Sequence, residues 1–140
     1  MIKSVVLGEE IIISTKNQVG LLADVTSVIN DYGINIEAVM GYEVGNVAKL
    51  FLITNGNLVI LSELRKKQYK SIEETEVIIV DIQNKQGVLK LLTTQLKKND
   101  IDINYLFVTS CSCGGSSRMV IRTSDNEKAM SLLTRLMPSE

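Results

Sequence analysis

Two short loops carry the chemistry open to this chain. Asn17-Gln18-Val19-Gly20 runs into Leu21-Leu22, and Asn84-Lys85-Gln86-Gly87 runs into Val88-Leu89. In each, an asparagine amide can donate to a carboxylate and accept from an ammonium, which suits the backbone of an amino acid. A glycine lets a ligand's polar atoms approach the main chain, and the N–H groups at a helix start favour an anion. All twelve residues, from Asn17 to Leu22 and from Asn84 to Leu89, are therefore candidate ligand-binding positions. The same residue types also suit a tight strand-to-helix turn with an asparagine cap and no ligand.

Little else in the sequence is reactive. There is no histidine, no nucleotide-type glycine loop and no nucleophile–base pair, so the expectation is that the chain is not an enzyme. Cys111-Ser112-Cys113 precedes Gly114-Gly115, and two thiols without a histidine are too few ligands for an ordinary metal site. No metal and no cofactor are expected, and the cysteines read as incidental thiols on a hairpin tip in a reducing compartment. A net charge of −1 and 4% aromatic residues give neither the basic footprint nor the stacking platforms of a nucleic-acid binder. The basic run Arg65-Lys66-Lys67 is offset by Glu73, Glu74 and Glu76 and reads as a solvated helix end. No apolar run has membrane-spanning length, and the N-terminus lacks the plan of a signal peptide, so a cytoplasmic protein with no membrane partner is expected.

The elements that must position the loops come in duplicate. An offset of 67 residues relates Asn17 to Asn84, Gly20 to Gly87 and Ile34 to Ile101. Ile2 to Val6 reads as a short strand, with a turn at Leu7-Gly8-Glu9 and a buried strand from Glu10 to Thr15. Leu22, Val25, Ile29 and Tyr32 recur at helical spacing, and Gly33 closes that helix. Strands at 34–40 and 47–54 and a helix at 58–67, with Leu58, Leu61 and Leu64 on its apolar side, complete the first copy. The second copy runs through a strand at 77–82 and a helix at 87–98 carrying Leu89, Leu92 and Leu96. A hairpin of 102–109 and 118–124 around a Gly115-centred loop follows. The last helix spans 125–137, with Asp125 as N-cap and Ala129, Leu132, Leu133 and Leu136 facing the core.

Nothing after that helix supplies a closing strand to the second copy. The residues at 2–6 restore the count either as a hairpin with the following strand or by crossing over to the second unit. Ile11-Ile12-Ile13, Leu50-Phe51-Leu52-Ile53 and Val77-Ile78-Ile79-Val80 are apolar on both strand faces, so the face away from the helices must be covered. A homodimer or larger homo-oligomer is the simplest expected source of that cover.

This order of elements resembles tandem ACT domains. Gly33-Ile34-Asn35-Ile36 and Asp100-Ile101-Asp102-Ile103 are similar to the second-strand signature of that family. The resemblance implies an α+β fold of two ferredoxin-like βαββαβ units, with antiparallel sheets packed by helices on one face. The units are expected at 1–73 and 74–140, and both placements of residues 2–6, in their own hairpin or as the fourth strand of the second unit, stay open. It also implies a free-standing regulatory protein that binds an amino acid or similar metabolite and signals to a partner enzyme or regulator. Asn35 and Asp102 join the candidate ligand-binding residues on the same ground. Family members commonly carry an acidic residue and a proline before the glycine, and neither loop here does. That departure favours the alternative of a constitutive interaction subunit without a ligand.

Overall fold

The computed structural model describes residues 1–110 and 115–139. Cys111 and Cys113 lie outside the described residues. The elements are β1 (Ile2–Lys16), α1 (Leu21–Asp31), β2 (Ile36–Val44), β3 (Val47–Thr54), α2 (Asn57–Leu64), β4 (Ser71–Gln83), α3 (Val88–Lys98), β5 (Ile103–Ser110), β6 (Ser116–Thr123) and α4 (Asn126–Arg135). The fold is α+β, with two units that each follow the expected ferredoxin-like order of strand, helix, strand, strand and helix.

One compact unit comprises Glu9–Thr75, and the other comprises Met1–Gly8 with Glu76–Glu140. In the first unit β3 pairs antiparallel with β1 on one side and with β2 on the other. In the second, β6 lies antiparallel between β4 and β5, and β1 borders β4. β1 and β4 are thus shared. Each gives its opening residues to one unit and its later residues to the other.

The expected turn at Leu7-Gly8-Glu9 is absent, because β1 runs unbroken from Ile2 to Lys16. Gly8 serves packing instead. A Cβ there would stand 2.6 Å from Ile79 Cδ1, so the strand passes only where the side chain is missing. The N-terminal residues are fastened to the second unit by main chain and side chain alike. The Gln83 N–H donates to the Met1 carbonyl at 2.8 Å, Lys3 Nζ to Ser116 Oγ at 2.7 Å and Ser4 Oγ to Asp81 at 3.3 Å. Arg118 holds the same Asp81 carboxylate with two bonds of 2.8 and 2.9 Å.

Each unit has its own core between strands and helices. Ile11, Ile13, Leu50 and Leu52 meet Leu21, Val25 and Ile29 of α1 and Ile60, Leu61 and Leu64 of α2. Tyr69 and Ile72 pack against this core. Ile78, Val80, Met119 and Ile121 meet Val88, Leu92 and Leu96 of α3 and Ala129 and Leu133 of α4, joined by Ile2 and Val5. The helical stripes are turned from the expected ones. Leu22 is 45% exposed and Leu58 83% exposed, while Leu21 and Ile60 take the buried places. Tyr32 and Leu89 are exposed too. In runs such as Leu21-Leu22 and Val88-Leu89 either neighbour satisfies the spacing, and the packing selects one.

On the other strand face Ile12, Phe51, Ile53, Val77, Ile79 and Val120 are also buried.

One device recurs at the entry of the second helix of each unit. Asn57 Oδ1 accepts from the Thr54 N–H and hydroxyl, and its amide donates to the Glu9 carbonyl at 2.8 Å. Asn126 accepts in the same way from Thr123 and donates to the Glu76 carbonyl at 2.9 Å. In the sequence Asn55-Gly56-Asn57 reads only as a break after the strand at 47–54. Asp125 caps α4 as expected, accepting from the Lys128 N–H at 3.0 Å.

Three outcomes follow from this architecture. Ile2→Ala, which empties a buried position in the 76–140 core, is expected to lower stability by about 2–5 kcal/mol in urea unfolding. Hydrogen exchange is expected to show the loss first in β6 and α4, and equal loss in β3 would contradict the strand assignment. Asn57→Ala and Asn126→Ala should each cost about 1–3 kcal/mol, because every removal strands a threonine N–H and a strand carbonyl. Asp81 supplies a pH signature. The Arg118 guanidinium beside it holds its carboxyl below its ordinary value of 3.8. A depressed carboxylate stabilises the fold above the unfolded-state value and loses that contribution as pH falls through the folded one. The stability gap between the native chain and Asp81→Asn should be full at neutral pH and close below about pH 3.8.

Candidate functional site

The first glycine loop is built at the meeting of a strand, a helix and a hairpin. β1 ends at Lys16, and the Asn17 N–H then donates to the Asn46 carbonyl at 2.7 Å, tying the loop to the β2–β3 turn. Gly20 takes φ 87 and ψ 4, a left-handed conformation that L side chains avoid, and α1 starts immediately after it. As the N-cap residue, glycine contributes no side-chain oxygen, and no side chain caps this helix. The first intrahelical bond runs from the Asp24 N–H to the Gly20 carbonyl at 2.9 Å. The Leu21 N–H turns back to the Gln18 carbonyl at 3.4 Å, and the N–H groups of Leu22 and Ala23 have no intrahelical carbonyl to reach at the positive end of the helix dipole.

Beside this helix end lies a cleft of about 400 Å³. Asn17, Gln18, Gly20, Leu21 and Leu22 line it from the loop and α1. Val39, Gly41, Tyr42 and Glu43 line it from β2, and Ala48 and Leu50 from β3. Most of these side chains are apolar. Gly41 and Leu50 are partners in the β2–β3 register, and a Cβ at Gly41 would stand 2.9 Å from Leu50 Cδ2. Glycine at that place therefore keeps the floor open. Tyr42 stacks on Phe51 with ring centroids 5.9 Å apart, which stiffens β2 along the rim.

Not all candidate residues gather there. Val19 is fully exposed and does not line the cleft. Asn35 lies beyond the other end of α1, about 16 Å of helix away from Gly20 at 1.5 Å per residue. Its N–H donates to Asn55 Oδ1 at 3.0 Å and its carbonyl accepts from the Asn55 N–H at 3.2 Å, so its main chain closes the β2–β3 side of the unit. Asp102 does the same with Ser124, at 3.0 and 2.9 Å. Asp102 lines a separate depression of about 350 Å³ with Lys97 and Asp100.

The second loop repeats the backbone of the first. Gly87 has φ 89 and caps α3 without a side-chain bond, and the Leu91 N–H donates to the Gly87 carbonyl at 3.0 Å. Val88 is buried, while Asn84, Lys85, Gln86 and Leu89 are exposed. Residues that loop-centred reading missed are those on β2 and β3, namely Val39, Gly41, Glu43 and Leu50. The expected strand at 34–40 stops short of Gly41, whereas β2 runs on to Val44 and carries Gly41, Tyr42 and Glu43 along the cleft.

Other depressions are polar and open. One of about 380 Å³ is lined by Asn99, Asp125, Lys128 and Arg135, and one of about 240 Å³ by Tyr32, Glu63 and Lys66. In the latter, Lys66 Nζ sits 2.9 Å from Glu63 Oε1. Hydrogen bonds from Lys66 and Tyr32 hold the Glu63 carboxyl below its usual value. Among the described residues no group of three or more potential ligands is placed to hold a metal, and no helix is long and apolar enough to cross a membrane.

A model of the ACT-domain family matches residues 10–70. No curated protein sequence matches the chain significantly. Among solved structures, a protein from Bacteroides thetaiotaomicron superposes with a TM-score of 0.85 at 21% identity, over 94% of this chain and 90% of its own. The regulatory subunit of aspartate kinase from Thermus thermophilus, in its ligand-free form, gives 0.67 at 13% identity over 99% and 100% of the two chains. The regulatory subunit of aspartate kinase from Thermus flavus gives 0.60 at 13% identity over 96% and 97%. At these identities the likeness is one of fold. Residues 10–70 are similar to the ACT domain, and the second unit repeats their order of strand, helix, strand, strand and helix.

Proposed function

We propose that this protein is a non-catalytic regulator that binds an amino acid at the Gly20 loop and passes the event to a partner enzyme or regulator. The observation that carries the reading is the cleft beside the uncapped start of α1. Its volume of about 400 Å³ falls in the range of small-molecule sites. The first-turn N–H groups suit a carboxylate, and the Asn17 and Gln18 amides and the Glu43 carboxylate suit an ammonium. Two of the solved relatives are regulatory subunits of aspartate kinase, which agrees with a regulatory role. A ligand bound there acts through the difference in its affinity for two arrangements of the protein, in the partner complex or in a homodimer.

Thermal unfolding with each amino acid in turn at millimolar concentration tests this. A ligand at a hundred times its dissociation constant should add about 2.7 kcal/mol and raise the midpoint. Gly20→Asp should remove the shift. The new carboxylate has open space around it, and it would occupy the helix end that the ligand's carboxylate needs. Aspartate also tolerates the left-handed region better than most residues, so the variant should fold. Sedimentation with and without the ligand would then show whether a second copy is recruited. A midpoint that no amino acid moves would reject the sensor and leave Gly20 as a structural turn.

A further inference from the structure

The two repeats share one backbone plan, and the residues that line the cleft in the first can be compared pair by pair with those in the second. The hairpins β2–β3 and β5–β6 have corresponding registers. Ile36 faces Thr54 as Ile103 faces Thr123. In the same frame Gly41 faces Leu50, and Val108 faces Met119. Residues directly opposite share a face, so Val108, itself 39% exposed, sets a side chain beside Met119 where Gly41 has none. Glu43 faces Ala48, whereas Ser110 faces Ser117. The carboxylate available to an ammonium in the first repeat therefore has no counterpart in the second. In the loops, Lys85 stands in the place of Gln18.

The first cleft also has a chemical character. Beyond the amides and Glu43 at its polar end, its walls are Leu21, Leu22, Val39, Ala48 and Leu50, with the Tyr42 ring on the rim. A ligand whose backbone sits at the start of α1 meets hydrocarbon and one tyrosine ring with its side chain. A charged or strongly polar side chain placed there would lose water without gaining a hydrogen bond.

We propose that the chain holds one competent ligand site, at the Gly20 loop, that it takes an α-amino acid with an apolar side chain of valine to phenylalanine size, and that the Gly87 loop is structural. This rests on the reading of the Gly20 cleft given above and adds the ligand class and the stoichiometry. Gly41 is the residue that keeps the site open.

Calorimetric titration of the full chain with valine, leucine, isoleucine, phenylalanine, lysine, aspartate and threonine decides it. One apolar amino acid per chain should bind, and lysine and aspartate should bind at least tenfold more weakly. Gly41→Val should weaken binding tenfold or more, since its first carbon already crowds Leu50. The position has ordinary extended geometry, so valine suits the strand, and far-UV dichroism checks the fold. Gly41→Ala serves as the smaller change if valine unfolds the chain. Glu43→Gln should weaken binding without changing which side chains are accepted. Val108→Ala should leave the affinity unchanged. Tightest binding by a charged or hydroxylated amino acid would overturn the ligand class alone. Two sites per chain, undiminished affinity in both Gly41 variants, or loss of binding in Val108→Ala would overturn the single site. Silence toward every amino acid would overturn this inference and the sensor reading together.

Discussion

The second repeat does not close its own core, and that constraint governs the rest of the molecule. Ile2 and Val5 lie in the core of residues 76–140, and Tyr69 and Ile72 pack on the core of residues 9–75. A segment of about 67 residues buries proportionately little surface, so an added strand is a large share of its stabilisation. Burying one isoleucine or valine contributes about 1.5–3 kcal/mol, and the N-terminal residues bring both, together with their bonds to Gln83, Ser116 and Asp81. The long strands β1 and β4 follow from this exchange. A turn at Gly8 would have kept residues 2–6 beside their own repeat, and the Ile79 side chain against Gly8 shows why the strand continues instead.

Duplication leaves a scaffold on which equivalent positions are free to diverge. What stays constant is what holds the backbone. Left-handed glycines start α1 and α3, and Gly33 and Asp100 both take positive φ where those helices end. Asn57 and Asn126 tie the entries of α2 and α4 to the carbonyls of Glu9 and Glu76. What changes is the surface that meets solvent beside the glycine loops. Gly41 and Glu43 give way to Val108 and Ser110, and the same backbone then carries an added side chain and no carboxylate at these positions.

Much of this was legible in the sequence, for reasons that are local. The 67-residue offset, the buried three-residue runs, the glycine loops and the Asp125 cap all depend on residues within a few positions of one another. The failures share the opposite property. Gly8 read as a turn because its reason for being glycine is Ile79, in the other repeat. Asn57 read as a break because the carbonyl it holds belongs to Glu9. Leu22 and Leu58 were placed on buried faces because periodicity fixes a stripe only to within one residue when neighbours are also apolar. Within the site, the loop half was visible in sequence, whereas the β2 and β3 half was not. Asn35 illustrates the limit from the other side. A signature residue close in sequence to α1 is separated from Gly20 by the whole length of that helix.

The open cleft also has an energetic meaning. Where the second repeat places Val108 beside Met119, the first leaves apolar walls facing water. Hydrocarbon left uncovered forgoes roughly 25 cal/mol for each Å² that could be buried. The apolar ligand proposed for this cleft would supply that burial from outside and so couple occupancy to stability through the same surface. Filling the cleft with the protein's own side chain would make the fold more stable and indifferent to any metabolite. In Gly41 the chain forgoes a contact its sister repeat makes, and the missing contact is what gives a ligand something to change.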